Sequence, residues 1–145
     1  MGIFEKALIQ GEEILSLIPQ RHPIVMIDAF YGADEVLSYS GLTVKPDTIF
    51  CENNLLREPG LIEHVAQSAA ARVGYLCIKQ NIPVPVGFIG AIKNFQIYRL
   101  PAIGETLHTT IKIEQDIMDI TLISAKVMVG DDVIAACEMK IFLQK

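Results

Sequence analysis

No apolar run in this sequence approaches the ~18 residues of a membrane-spanning helix, so no span is expected. There is no Cys-x-x-Cys pair. Cys51, Cys77 and Cys137 are odd in number and far apart, which points away from a disulfide framework and a thiolate zinc site and towards a reduced, cytoplasmic setting. His22, His64 and His108 lack metal-ligand spacing, and no metal is expected. Positive charge is not in excess: the net charge is −5, which argues against nucleic acid as a partner. The beginning, "MGIFEKALIQGEE", lacks the apolar core of a signal peptide. It carries Lys6 where an N-myristoylation motif after Gly2 requires a small hydroxyl residue. Repeats, low-complexity tracts and linkers are missing too, so residues 1–145 are expected to form a single domain.

What is there suits a packed core, since 51% of the chain is hydrophobic and 20% charged. Residues 12–18, "EEILSLI", read as a short helix stopped by Pro19. Residues 24–44 read as two strands around Gly32-Ala33-Asp34, and 46–58 as a polar loop. A long helix is expected over 59–80. Four strands follow, over 86–100, 106–117, 120–129 and 133–143. The third of these segments from the end alternates cleanly: Leu107, Thr109, Ile111 and Ile113 share one face, and His108, Thr110, Lys112 and Glu114 the other. Short connections make the sheet antiparallel. The fold class is therefore α+β, one long helix against one curled antiparallel sheet. The exposed sheet edges suggest a dimer.

The long helix holds the chemistry. At 100° per residue Ile62, Val65, Ala69, Val73 and Leu76 form an apolar stripe. His64, Ser68, Arg72 and Lys79 form a polar stripe that reads as solvent-facing, so His64 is placed on the surface. Glu63, Ala66, Gln67, Ala70 and Gly74 form a third stripe, whose small residues let another backbone approach or leave room for a ligand beside the Glu63 carboxylate. Pro59 suits the first helical position. That leaves the N–H groups of Gly60 and Leu61 without intrahelical partners and available to polarise a carbonyl. A carbonyl-binding helix end and an acid/base carboxylate thus lie one turn apart. Against this stands the ordinary reading of Glu63 as a first-turn glutamate that favours the helix dipole, and of Gln67 as a core amide bonded to backbone. His108 is expected in solvent on the polar face of its strand.

Three stretches resemble, in order, the 3-hydroxyacyl-ACP dehydratases of type II fatty-acid synthesis. "LIPQRHPIVMID" (17–28) is similar to their "L-L-P-H-R-Y-P-F-L-L-V-D", "PGLIEHVAQSAAA" to their "P-G-V-L-I-I-E-A-M-A-Q" helix, and "FIGAIKNFQIYRLPAIGETL" (88–107) to their "F-A-G-I…F-R-x-P-V-x-P-G-D-x-L" strand and turn. The chain looks like a divergent dehydratase-like branch of that family, a branch with some members found alongside polyene-pigment pathways. The resemblance implies the hot-dog fold, with a long central helix wrapped by the sheet, in dimers with sites at the dimer interface. It implies removal of water from a 3-hydroxyacyl thioester on phosphopantetheine, which the substrate carries, so that no cofactor is needed. By position Glu63 matches the family's acidic residue, Gln67 the glutamine after it, and Gly60 the carbonyl-binding glycine.

The family's catalytic histidine is missing. It lies in a "G-H-F-P" segment before the helix, where this chain has "TIFCENNLLREPG", and the Pro-Gly-to-Glu spacing is two residues shorter. Counting back places Cys51 near the missing position, with Glu52, Asn53 and Asn54 beside it. His22 is the candidate replacement base, with Cys51 and Asn54 as substrate-binding candidates; Cys51 would act only with a lowered pKa. Three functions stay open: a dehydratase with Glu63, Gln67 and His22 at its centre; a thioesterase on the same fold, with Glu63 activating water; and a non-catalytic acyl-binding subunit paired with a competent second hot-dog subunit. Expected partners are an acyl carrier protein or acyl-CoA thioester, docked through Arg57, Arg72, Lys93 and Arg99, and a second copy or subunit in a homodimer or larger assembly.

Overall fold

The computed structural model describes residues 2–144. Two 3-10 turns, Ile3–Glu5 and Gly11–Ser16, flank a short strand β1 (Ile9–Gln10). Strands β2 (Ala29–Ala33) and β3 (Leu37–Thr43) follow, then a two-residue pair β4 (Cys51–Glu52) and β5 (Leu55–Leu56). Helix α1 runs Glu58–Lys79. Strands β6 (Val86–Ile97), β7 (Thr106–Ile117), β8 (Ile120–Val129) and β9 (Asp132–Gln144) complete the chain. The main sheet has the order β1-β2-β3-β7-β8-β9-β6, with every neighbouring pair antiparallel. The long helix lies against it, as the alternation of the strands and the apolar character of the helix require.

Two expectations change. The segment expected as an α-helix over 12–18 is instead a short 3-10 helix, Gly11–Ser16. The polar loop contains the β4–β5 hairpin, whose turn residues Asn53 and Asn54 both have positive φ (54° and 65°). Asparagine tolerates that left-handed backbone, and consecutive left-handed residues make the tight turn whose twist matches two strands.

The core lies between α1 and the inner sheet face. Leu61, Val65 and Ala69 pack with Leu107, Ile111, Ile123, Val127, Ile134 and Met139. A second cluster joins Ala71 to Ile14, Leu17, Ile18, Ile27 and Phe30. Here Gly74 admits the backbone of Leu17: a Cβ at Gly74 would lie 2.8 Å from the Leu17 carbonyl carbon and closer to its oxygen. The small-residue stripe does let another backbone approach.

Of the stripe read as solvent-facing, Lys79 is exposed but the other three residues are buried. His64 and Ser68 are fully enclosed and Arg72 is 6% exposed. They face the sheet, whose inner surface offers polar partners there. Ser40 and Thr109 are cross-strand neighbours on β3 and β7, so their side chains share that face. The Arg72 guanidinium donates to the carbonyls of Asp34, Glu35 and Leu37 at 2.8–3.0 Å and so closes the β2–β3 turn. Those bonds let a charge lie under a sheet.

Beyond α1 the sheet runs out to β6, an edge strand paired only with β9 among the described residues. Its first half is exposed, with Phe88 at 53%. No helix among the described residues is long and apolar enough to cross a membrane.

Candidate functional site

A cavity of about 540 Å³ opens between α1 and the sheet. Helix residues Glu63, Ala66, Ala70 and Val73 form one wall, and Ile111, Ile123 and Ile141 of the sheet form the other. The exposed start of β6, Gly87 to Ile89, borders it. The alanines explain the space: side chains that stop at Cβ leave the gap between helix and sheet unfilled. The lining is mostly aliphatic, and Glu63 sets a carboxylate into it. That is the arrangement of a site for a mainly apolar ligand with a few convergent polar groups.

Behind Glu63 stands Gln67, fully buried, one helical turn on. Its Nε2 donates to Glu63 Oε1 at 2.8 Å and to the Ile24 carbonyl at 3.0 Å. Its Oε1 accepts the N–H of Met26 at 2.6 Å. An N–H can meet only an acceptor, so the Met26 contact fixes which end of the amide is oxygen. The other end must then present its N–H groups to Glu63. The carboxylate is thereby held by one oxygen, and its second oxygen is not used by Gln67.

The remaining expected site residues are placed elsewhere. His22 is exposed and its Nε2 meets Glu12 Oε2 at 3.0 Å; it does not line the cavity. The pair of open N–H groups at the helix start is also absent. Helix α1 begins one residue earlier than expected, at Glu58, and the N–H groups of Gly60 and Leu61 both donate to the Arg57 carbonyl, at 2.9 and 3.2 Å. Gly60 is small because a Cβ there would lie 2.5 Å from Leu56 Cδ1 and 2.9 Å from Phe50 Cβ. The space read as room for a substrate is filled by the protein. Neither Cys51 nor Asn54 lines the cavity. Burial pushes the Cys51 thiol up, which keeps it protonated, and its Sγ faces the Lys45 carbonyl at 3.8 Å. Asn54 owes its identity to the hairpin turn.

The other histidines also differ from expectation. His108 is half-buried on the outer face, stacked on Phe4 at 4.4 Å between ring centroids, with Tyr31 Oη 3.4 Å from its Nε2. Burial lowers its pKa. His64 is 0% exposed. Its Nδ1 lies 2.7 Å from the Met26 carbonyl and its Nε2 2.7 Å from Thr109 Oγ1. Burial drives its pKa down to about 4, with the Met26 bond opposing, so the ring is neutral. The sequence carried a signal for this pair: Thr109 stands among Leu107, Ile111 and Ile113 on the inner face, and a buried hydroxyl needs a partner. Of the four cations considered for a carrier, Arg72 is committed beneath the sheet. Arg99 is held by Glu105 at 2.8 and 3.1 Å, and Arg57 pairs with Glu58 at 3.2 Å.

Among the described residues, then, Glu63 and Gln67 are brought together at an apolar cavity, and no hydrogen bond or ion pair joins a histidine to Glu63. Comparison with known proteins identifies the family and the fold. Residues 12–145 match the ApeP-like family, described as ApeP dehydratase. The 3-hydroxyacyl-[acyl-carrier-protein] dehydratase FabZ of Lactiplantibacillus plantarum is 24% identical over 138 residues, 90% of each chain. In structure, the dehydratase heterocomplex ApeI:P from Xenorhabdus doucetiae matches with a TM-score of 0.85 at 12% identity, over 91% of each chain. The protein PH1136 of Pyrococcus horikoshii matches with a TM-score of 0.68 at 13% identity, over 95% of this chain and 96% of that one. The structural likenesses show the expected hot-dog fold.

Proposed function

The chain belongs to the ApeP-like dehydratase family, and from that premise we propose that it removes water from a 3-hydroxyacyl thioester as one subunit of a hot-dog dehydratase. The observation that carries this is Glu63, set into the wall of the aliphatic cavity and bonded from behind by the buried Gln67. The cavity takes the acyl chain. Glu63, steadied through one oxygen by Gln67, exchanges a proton with the substrate through the other. Elimination moves two protons: one leaves the α-carbon, and one joins the hydroxyl that departs from the β-carbon as water. A single carboxylate handles one of them well; a second acid/base group must handle the other. His64 and His108 are committed elsewhere, and His22 is held by Glu12.

The second group therefore comes from a partner subunit. Strand β6 supports this reading: it is a twelve-residue edge strand whose outer side has no strand partner among the described residues, its first half is exposed, and its start borders the cavity. A subunit that extends the sheet at β6 would stand beside Glu63. The structurally similar ApeI:P is a dehydratase heterocomplex, and the partner proposed for this chain is likewise a second, histidine-bearing hot-dog subunit rather than a second copy. The substrate is carried on an acyl carrier protein, as the name of the similar FabZ indicates for that enzyme.

The test is to purify the chain alone and co-expressed with hot-dog dehydratase subunits of its own source, supply 3-hydroxyacyl-ACP, and weigh the product. A product one water lighter, formed by the assembly and lost with Glu63→Ala, is the expected result. Acid plus free thiol would reassign the chain as a thioesterase. Activity of the assembly that survives Glu63→Ala would make this chain a non-catalytic partner.

A further inference from the structure

His64 has no place in the reaction just described, yet it is a fully enclosed imidazole next to Glu63 in sequence. Its neighbours form a chain of hydrogen bonds with one direction. A carbonyl only accepts, so Nδ1 carries the proton and donates to the Met26 carbonyl. Nε2 is then the acceptor, and the Thr109 hydroxyl donates to it. The N–H of the same Met26 donates to Gln67 Oε1, and Gln67 Nε2 donates to Glu63. Met26 precedes β2 and is not paired in the sheet. Both polar groups of its backbone are instead held by side chains of α1 three residues apart, the carbonyl by His64 and the N–H by Gln67.

We propose that His64, fixed as its Nδ1–H tautomer by the Met26 carbonyl and capped at Nε2 by Thr109, is the positioning residue for Glu63: it holds Met26 so that the Gln67 amide points its N–H at the Glu63 carboxylate. Without the His64 bond, Met26 is tied to α1 through Gln67 alone. A shift of that backbone lets the amide turn, and the carboxylate loses its one fixed oxygen. The Thr109 hydroxyl matters because, with the proton on Nδ1, the buried Nε2 needs a donor, and Thr109 supplies it.

This role rests on the dehydratase reading, and two independent readouts separate the two ideas. In the assembled enzyme, His64→Leu is expected to lower kcat by up to about a hundredfold with KM little changed, because an ångström of misplacement at a reacting group costs on that order. His64→Asn keeps a donor near the Nδ1 position and restores most of the rate. Thr109→Val, close to isosteric, produces a smaller fall of the same kind and serves if His64→Leu does not fold. The second readout needs no activity. In ¹⁵N-labelled protein the Gln67 side-chain N–H signals should exchange slowly in the natural sequence and in His64→Asn, and quickly in His64→Leu. Imidazole ¹⁵N shifts should report the proton on Nδ1. An unchanged kcat in a folded His64→Leu or Thr109→Val enzyme overturns the proposal. So does a Gln67 amide that stays protected without His64, or a His64 proton on Nε2. If the natural protein proves inactive but Gln67 behaves as described, the dehydratase reading fails and the positioning network stands.

Discussion

Acid should destabilise this protein through one residue inside the helix–sheet core. His64 would take up a proton at its ordinary pKa of 6.5 in the unfolded chain, but burial holds it to about 4 in the folded one. The gap is worth about 3 kcal/mol. The group's folded pKa lies below its unfolded one. Its contribution is therefore fully present above pH 6.5 and is lost as pH falls from there towards 4, because only the unfolded chain takes the proton in that window. Below about 4 the folded protein takes it too and the dependence ends. Against a total stability of about 5–15 kcal/mol that is a substantial loss. Two other groups titrate nearby. Burial lowers His108, which pulls in the same direction as His64, and burial raises Asp28, which pulls against it. The comparison that isolates His64 is urea unfolding of the natural protein and of His64→Asn, each from pH 7.5 to 4, a range set to span both pKa values. The natural protein should lose about 3 kcal/mol more than the variant across it. Parallel loss in the two proteins would refute the reasoning, since His64 would then be no harder to protonate folded than unfolded.

Glycine positions make sharper steric predictions. Gly74→Ala drives a methyl into the backbone of Leu17, with little freedom on either side, and should cost about 3 kcal/mol; Gly60→Ala meets the mobile end of Leu56 first and should cost about 1 kcal/mol, both read from thermal melts. Arg72→Leu leaves the carbonyls of Asp34, Glu35 and Leu37 without their donor and should destabilise by about 3 kcal/mol in urea unfolding. Cys51→Ser should leave the dehydration rate within twofold, about the scatter of an assay and below 0.5 kcal/mol, because the thiol is protonated and outside the cavity.

Much of the architecture was legible in the residues. The strand Thr106–Ile117 follows its alternation from Leu107 to Glu114, beyond which its residues are all exposed, and the helix expected at 59–80 is found at Glu58–Lys79. What was not legible is which face of α1 points inward. Polar residues at 64, 68 and 72 look like a solvent stripe when only helical spacing is considered. The partners of His64 and Arg72 lie about 35 to 45 residues away in sequence, on Met26, Thr109 and the 34–37 turn, where helical spacing alone does not show them, while Ser68 bonds within the helix to the His64 carbonyl. Position 60 failed for a related reason: a small residue marks close approach, but not of what, and here Leu56 approaches rather than a substrate. Asn53 and Asn54 were misread although a signal was present, since adjacent asparagines are a hairpin turn signature. The Glu63–Gln67 pair was legible as a one-turn spacing on the small-residue stripe. Its orientation was not, because Met26 and Ile24 set it from another part of the chain.

The most direct test of the account is Glu63→Gln in the assembled enzyme, a change that nearly keeps shape but replaces the carboxyl with a neutral amide unable to serve as acid or base. Product formation from 3-hydroxyacyl-ACP should fall at least a hundredfold, the lower range of general acid–base contributions being about 10²-fold, while the melting temperature and assembly stay as they were. An assembled Glu63→Gln enzyme that still releases water at the natural rate would contradict the assignment of Glu63 as the proton-transferring group.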